Sequence, residues 1–318
     1  MNHTPEFADP QLVSLDQAIA RLKDGKLVAI PTETVYGLGA DAADPLAVAK
    51  VFAAKGRPSN HPLIVHCASL AHAERFMQPP SAAMQTLLKT VWPGPLTLVT
   101  AKTDAVSPVI TGGRDTVALR CPAHPLTREL LQRSGLALVA PSANRFGRVS
   151  PTSAAHVLSE FPGKDIGVLD GGECTLGIES TIVRENGDTL EVLRVGALSI
   201  PELKTLWPGS VVYNASTKGG VPGALATHYA PERGVWLWHY PKSFAFNESD
   251  LVCGWHKPDM LCQFQLLPDD PVQCAAMLYP LLRSADLRAE GRLIIEMPPA
   301  TEAWMAIADR LTRAAHRD

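Results

Sequence analysis

Apolar and polar positions along the chain change period repeatedly, and each change marks an element. Leu15, Ala18, Ile19 and Leu22 recur at helical spacing, behind Ser14 and Gln17 at capping-box separation and ahead of Gly25. The spacing predicts a first helix with Gly25 at its C′ position. The run "KLVAI" (26–30) is continuously apolar and closed by Pro31, the form of a buried strand, and "PTETVYGLGAD" reads as the loop after it. Asp44 and Pro45 then supply an N-cap and a first-turn proline, Val48 and Phe52 share a face, and Gly56 with Pro58 stops this second helix.

Further short apolar runs predict strands at 63–66, 96–100, 116–120, 136–140, 167–170, 180–183 and 191–195, with helices around 70–90, 125–133 and 152–160. Strands interspersed with helices, without strict alternation, favour a mixed, twisted, open α/β sheet with helices packed on it over a purely parallel doubly wound one. Residues 1–207 are thus expected to form one domain. Residues 208–233 are dense in Gly, Pro, Ser and Thr and read as a linker. Residues 234–318 carry the strands "VWLWHY", "LVCGW" and "RLIIEM", a helix near 271–287, and a last helix whose Trp304, Ile307, Ala308 and Leu311 are spaced for one buried face. This is the pattern of a second, smaller α/β domain.

Composition narrows the function classes. With 318 residues, 46% hydrophobic and 19% charged, and a formal net charge of −3, the chain carries no global basic field for nucleic acid or membrane, so any anion site must be local. Its 6 cysteines form no CxxC pair or Cys/His cluster, which argues against a zinc site or a disulfide framework. "MNHTPEFADP" has acid and proline where a secretory leader needs basic and then apolar residues, and no apolar run approaches a membrane span. A cytoplasmic protein, neither exported nor inserted, is expected.

Candidate chemistry sits in polar loops that follow apolar strands or helix ends, where ligands of α/β sheets collect. The P-loop and HExxH patterns are absent, and "GLGADA" lacks the last glycine of a dinucleotide fingerprint. In "KGRPSN" Lys55 offers a point charge and Arg57 a planar fork, while Asn60 and the pair Ser142 and Asn144 offer neutral donors, a set suited to an anionic nucleotide. Taken singly, Lys55 reads as the cation complementing its own helix dipole and Arg57 as solvated; only the neighbouring loops change that reading. Arg120 ends the apolar strand 116–120 on the same face as Thr116 and is either half of a buried ion pair or a clamp for a ligand carboxylate. His66 closes "LIVH" and reads as a structural histidine rather than a base.

In order along residues 14–200, "PTETVYGLGADA", "KGRPSNHPLIVH", "WPGPLTLV", "ALRCPAHP", "APSANRFGRVSPT", "GGECTLGIESTIV" and "LRVGAL" resemble the YrdC/Sua5 family of threonylcarbamoyl-AMP synthases. The segment "THYAP" (227–231) and the second domain look like the two-domain Sua5 type, whose smaller domain is Rossmann-like. The resemblance implies a nucleotidyl transfer in which L-threonine, bicarbonate and ATP give threonylcarbamoyl-AMP and pyrophosphate, for the modification of adenosine 37 in tRNA. Carried over motif by motif, it places Lys55, Arg57, Asn60, Thr116, Ser142, Asn144, Arg194 and Tyr229 at ATP, with Lys55 and Arg57 as the catalytic pair. It places Thr32, Thr34, His66, Arg120, Ala140 and Ser180 around threonine, leaving open which of Thr32 and Thr34 is nearer. Mg2+ is expected to arrive with ATP, with Glu33 and Glu179 as outer contacts only. Tyr229 and its segment are expected to cover the pocket. Downstream tRNA-threonylcarbamoyl transferase proteins are the implied partners, and direct RNA contact is left open.

Two other functional classes fit the sequence less well. A non-catalytic RNA-binding protein is disfavoured by the near-neutral composition and by the shortage of basic residues interleaved with aromatics. A carbamoyl transferase like the hydrogenase-maturation relatives of the fold is disfavoured because their additional zinc-finger-like and acylphosphatase-like segments are absent.

Overall fold

The computed structural model describes residues 9–213 and 229–315. Strands β1 (Gln11–Leu12), β2 (Leu27–Ile30), β3 (Gly37–Asp41), β4 (Ile64–His66), β5 (Leu96–Ala101), β6 (Thr116–Arg120), β7 (Leu138–Val139), β8 (Ile166–Val168), β9 (Thr181–Asn186), β10 (Thr189–Arg194) and β11 (Ser210–Tyr213) make one sheet. Its order is β1-β8-β2-β3-β7-β4-β6-β5-β9-β10-β11. Pairs β4–β6, β5–β9 and β10–β11 are parallel, whereas β2–β3, β3–β7 and β5–β6 are antiparallel, so the sheet is mixed, as the spacing of elements predicts.

Local chemistry explains the element ends. The first helix, Leu15–Lys23, has the full capping box between Ser14 and Gln17, and Gly25 is left-handed behind it. The helix Pro45–Lys55 begins at an Asp44 cap and ends where Gly56 turns left-handed at φ 63°. There Gly56 N–H donates to Ala53 O and Arg57 N–H to Phe52 O, the paired bonds of a Schellman motif. The reversal throws Arg57 back beside Lys55.

Several boundaries differ from the sequence reading. Half of the expected loop "PTETVYGLGAD" is β3, whose glycines concealed a strand buried within the sheet. The expected linker 208–233 is structured at both ends. β11 extends the first sheet to Tyr213 as a half-exposed edge strand with no long apolar run to announce it, and Tyr229 is buried. Residues 214–228 lie outside the described residues. In the last helix, Met305–Ala315, the buried face holds Ala306, Ile307, Arg310, Leu311 and Ala314, while Ala308 is only partly buried. The face is displaced because an arginine occupies a core position.

The second domain contains β12 (Trp236–Trp238), β13 (Leu251–Gly254), β14 (Gln263–Leu266) and β15 (Leu293–Glu296), an all-parallel sheet in the order β12-β15-β13-β14. The helix Pro271–Leu287 makes the crossover from β14 to β15, while the two earlier crossovers have no helix, which separates this domain from a complete doubly wound unit. Its core is continuous with that of the first domain through Val195, Trp207, Tyr229, Tyr279 and Ile307.

The two backbones approach closely at Gly177, held at φ 71°, where an added Cβ would lie 2.5 Å from Ala276 Cα and 2.7 Å from Ala275 O. Gly177→Ala meets both a disfavoured backbone and an unyielding helix, so it should destabilise the chain by roughly 2 kcal/mol or more. Urea unfolding monitored by tryptophan fluorescence checks this; an unchanged midpoint would contradict the contact.

Candidate active site

The pleat of the sheet separates core from cavity. On β4 and β6, paired in register Ile64↔Ala118 and His66↔Arg120, those four residues share one face, while Val65, Val117 and Leu119 point into the main core on the other. Ile64, Ala118 and Ile182 floor a separate small apolar cluster. Above it opens a cavity on which the surrounding strand ends and loops converge.

Twelve of the fourteen residues expected from sequence line this cavity: Thr32, Thr34, Lys55, Arg57, His66, Arg120, Ala140, Ser142, Asn144, Ser180, Arg194 and Tyr229. Asn60 and Thr116 do not. Asn60 is exposed on the loop before Pro62, and Thr116 sits partly buried at the opposite end of β6 from Arg120. Phe146 and Glu179 also line it, and neither was expected to touch a ligand directly.

Lys55 is buried at the helix end and ties two loops together. Its Nζ donates to Ser142 O at 2.5 Å and Asn144 O at 2.6 Å, and its own carbonyl accepts the Phe146 N–H at 2.8 Å. Burial, then the charge of Arg57, pushes its pKa well below the ordinary lysine value. Arg57 donates to Pro62 O at 3.0 Å and lies 5.8 Å from the Phe146 ring centroid. Its buried Nε has no hydrogen-bond partner among the described residues, and burial brings its pKa down to about 10.

Arg194 reaches the cavity through a β-bulge. The β9–β10 register shifts between Val192 and Arg194, so Leu193 packs on the apolar floor and Arg194 also lines the cavity, positions that strict alternation would put on opposite faces. Its guanidinium donates to Ser180 O at 2.7 Å and Ser180 Oγ at 3.1 Å.

At the other end, Arg120 donates to Glu33 Oε1 at 2.7 Å, Thr34 Oγ1 at 2.9 Å and Gly94 O at 3.3 Å. The ion pair foreseen as one alternative is therefore present, and the guanidinium keeps donor capacity beyond these three bonds. Burial pushes Glu33 up, but Arg120 outweighs it and the carboxyl titrates below its ordinary value. The Thr32 hydroxyl donates to Val35 O and accepts from the Thr34 and Val35 N–H groups, which consumes it in a local turn. Thr34 is less committed. His66 is held neutral, its pKa pushed down to about 3 by burial and then Arg120. Its Nδ1 lies 3.3 Å from Ile64 O and carries the proton, so Nε2 is an acceptor.

Among the described residues Glu179 is the one carboxylate that lines the cavity, and the second domain grips it. Tyr279 Oη lies 2.7 Å from its Oε2 and 2.9 Å from Oε1, Arg310 Nε donates to Oε2 at 3.0 Å, and Ser150 Oγ donates to Oε1 at 2.7 Å. Tyr229 adopts φ 63°, a disfavoured left-handed conformation for a bulky residue. Its ring stacks on Tyr279 at 5.6 Å and over the Arg310 guanidinium at 5.3 Å, and the next residue, Ala230, donates its N–H to Gly147 O. The rest of the expected covering segment up to His228 lies outside the described residues. Tyr279 and Arg310 left no trace in the sequence reading, because a tyrosine and an arginine on amphipathic helices give no periodic sign of a distant carboxylate.

A family model described as "Telomere recombination", spanning Sua5, YciO and YrdC proteins, matches residues 20–196, and one described as "Threonylcarbamoyl-AMP synthase, C-terminal domain" matches residues 191–316. The chain belongs to the Sua5/YciO/YrdC family. It is 38% identical to a threonylcarbamoyl-AMP synthase of Bacillus subtilis over 96% of this chain and 93% of that one. It is 45% identical to that of Pyrococcus abyssi over 67% of this chain and 64% of that one. The structure of P. abyssi Sua5 complexed with L-threonine superposes with a TM-score of 0.84 at 33% identity, covering 96% of each chain. The two-domain architecture is therefore that of Sua5.

Burial raises the Glu179 carboxyl, but Arg310, Arg194 and the bonds from Ser150 and Tyr279 outweigh it and hold its pKa at about 2, below the ordinary 4.5. The depressed value contributes stability that is present above pH 4.5 and lost as pH falls toward 2. Glu179→Gln, which leaves the buried Arg310 with Asp309 at 3.0 Å as its remaining carboxylate partner, should cost about 1.5–3 kcal/mol at neutral pH. In urea unfolding the gap between wild type and variant should narrow as pH falls below 4; a constant gap would contradict the assignment.

Proposed function

We infer that this chain is a threonylcarbamoyl-AMP synthase, making threonylcarbamoyl-AMP from L-threonine, bicarbonate and ATP for the threonylcarbamoyl modification of tRNA. The observation that carries the reading is one cavity with two chemically different ends. Lys55, Arg57 and Arg194 are held there mainly by neutral backbone carbonyls, which orient the cations without cancelling their charge. That suits a triphosphate. At the other end the Arg120–Glu33 pair is neutral overall and lies beside Thr34 and His66, which suits a zwitterion such as threonine.

The threonine carboxylate takes the remaining Arg120 donors, and its hydroxyl or amine the His66 Nε2 and Thr34 acceptors. Thr32 shapes the loop, and Ala140 leaves room. The amine attacks the bicarbonate carbon and water leaves to give a carbamate, whose oxygen then attacks the α-phosphorus as pyrophosphate leaves. Both partners are anions, so the enzyme's task is to align them and disperse charge, and Lys55, Arg57 and Arg194 meet it. Ser142 and Asn144 place the backbone that holds Lys55. Asn60 and Thr116 remain as contacts for whatever part of the nucleotide projects from the cavity.

Among the described residues no three carboxylate, histidine or cysteine side chains form a metal-binding group, and Glu33 and Glu179 are already engaged by Arg120 and by Arg310 with Tyr279. Magnesium is proposed to arrive with the substrate as MgATP, held by the phosphates. Among the described residues no helix is long and apolar enough to cross a membrane, and a cytoplasmic enzyme handing its product to a tRNA-threonylcarbamoyl transferase fits this chemistry.

Pyrophosphate release should require threonine and bicarbonate together; release indifferent to either omission would overturn the reading. A second test follows from Lys55. Its pKa is lowered in the free site, and a bound triphosphate would raise it, so nucleotide binding should take up a proton and weaken as pH rises. Calorimetry in buffers of different ionisation enthalpy should detect this uptake in wild type. Lys55→Met should abolish it and weaken ATP binding by at least about tenfold.

A further inference from the structure

The second domain contributes two side chains to a wall it does not itself form. Glu179 precedes Ser180, lines the cavity, and would set a negative charge beside a polyanionic substrate. Its carboxylate is enclosed instead. Arg310 and Asp309 approach from the last helix, Tyr279 from the helix Pro271–Leu287, Arg194 from β10, and Ser150 and the Tyr229 phenol from loops. Arg310, fully buried, also donates to Val195 O at 2.8 Å, directly after Arg194. One guanidinium thus contacts Glu179, Asp309 at 3.0 Å, the Val195 carbonyl and the Tyr229 ring.

We propose that Arg310 and Tyr279 are positioning residues for the synthase reaction: they pin and mask the Glu179 carboxylate, so that Ser180, Arg194 and Tyr229 face the nucleotide as a net cationic wall. The second domain in this way completes the ATP site without touching the substrate. The inference rests on the synthase reading. Removing Arg310 leaves Glu179 offset by Arg194, Ser150 and Tyr279 alone, so more of its negative charge is felt on the wall and the loss falls on binding of the polyanion. It also releases Glu179 to be protonated at higher pH, because Arg310 is the strongest influence opposing the effect of burial.

The test is steady-state pyrophosphate release by the full chain. Arg310→Met should raise KM for ATP about tenfold with kcat within about threefold, and Arg310→Lys should keep most of the affinity. The ratio of variant to wild-type KM should shrink as pH falls, because Glu179 takes up its proton at higher pH in the variant than in wild type. Arg310→Met combined with Glu179→Gln should bind ATP within about threefold of Glu179→Gln alone. Should Arg310→Met fail to fold, Tyr279→Phe, which removes one hydroxyl and keeps the ring stack, should still raise KM for ATP about threefold. Unchanged KM in folded variants, or a double variant no better than Arg310→Met, would overturn the proposal and leave the second domain as support alone. Wild-type protein that releases no pyrophosphate would count against the synthase reading instead.

Discussion

Everything in this structure answers to one electrostatic constraint: Lys55, Arg57, Arg120 and Arg194 are all buried around a single cavity. Like charges brought together out of water repel and lose hydration, and each must find compensation inside the protein. Three of them find it chiefly in peptide carbonyls, those of Ser142, Asn144, Pro62 and Ser180. A carbonyl dipole holds a cation in place and leaves its charge available. Arg120 is instead paired directly with a carboxylate, Glu33, and its end of the cavity is correspondingly near neutral. The division between a cationic end and a balanced end is the physical basis for assigning one to a triphosphate and the other to an amino acid.

The carbonyls are available because the cavity sits where strands and helices end. The Schellman turn at Gly56 returns Arg57 to the side of Lys55, the loop after β7 supplies the carbonyls of Ser142 and Asn144, and the bulge in β10 turns Arg194 onto the cavity face. Each is a local departure from regular pairing beside a sheet that is otherwise close-packed. The floor of Ile64, Ala118 and Ile182 is the back of that sheet, so rigid strands set the positions from which flexible side chains reach.

Glu179 is the exception to a cationic wall, and the second domain answers it. Its helices bring Tyr279 and Arg310 to the carboxylate, and the Tyr229 ring lies against both. The continuous apolar core between the domains fixes their orientation closely enough for hydrogen bonds of 2.7–3.0 Å across the boundary. Stability and site geometry are coupled there: the interface that buries apolar area is also what makes one wall of the cavity.

The sequence by itself determined the elements with strong local causes. The capping box at Ser14, the Asp44–Pro45 start and Gly56 stop around Lys55, the helix at 271–287 and the apolar strands are all set by neighbours a few residues away. It also determined most of the cavity lining, because the residues that bind lie in contiguous motifs at strand ends. It did not reveal β3, where glycines masked a strand, or β11, whose edge position needs no apolar run. Nor did it show that Thr32 is consumed by its own turn, that Arg120 is paired, or that Arg310 occupies a core position. Only the tertiary structure decided those, since a buried charge is defined by the partner it meets, and Arg310 meets Glu179 from 131 residues away.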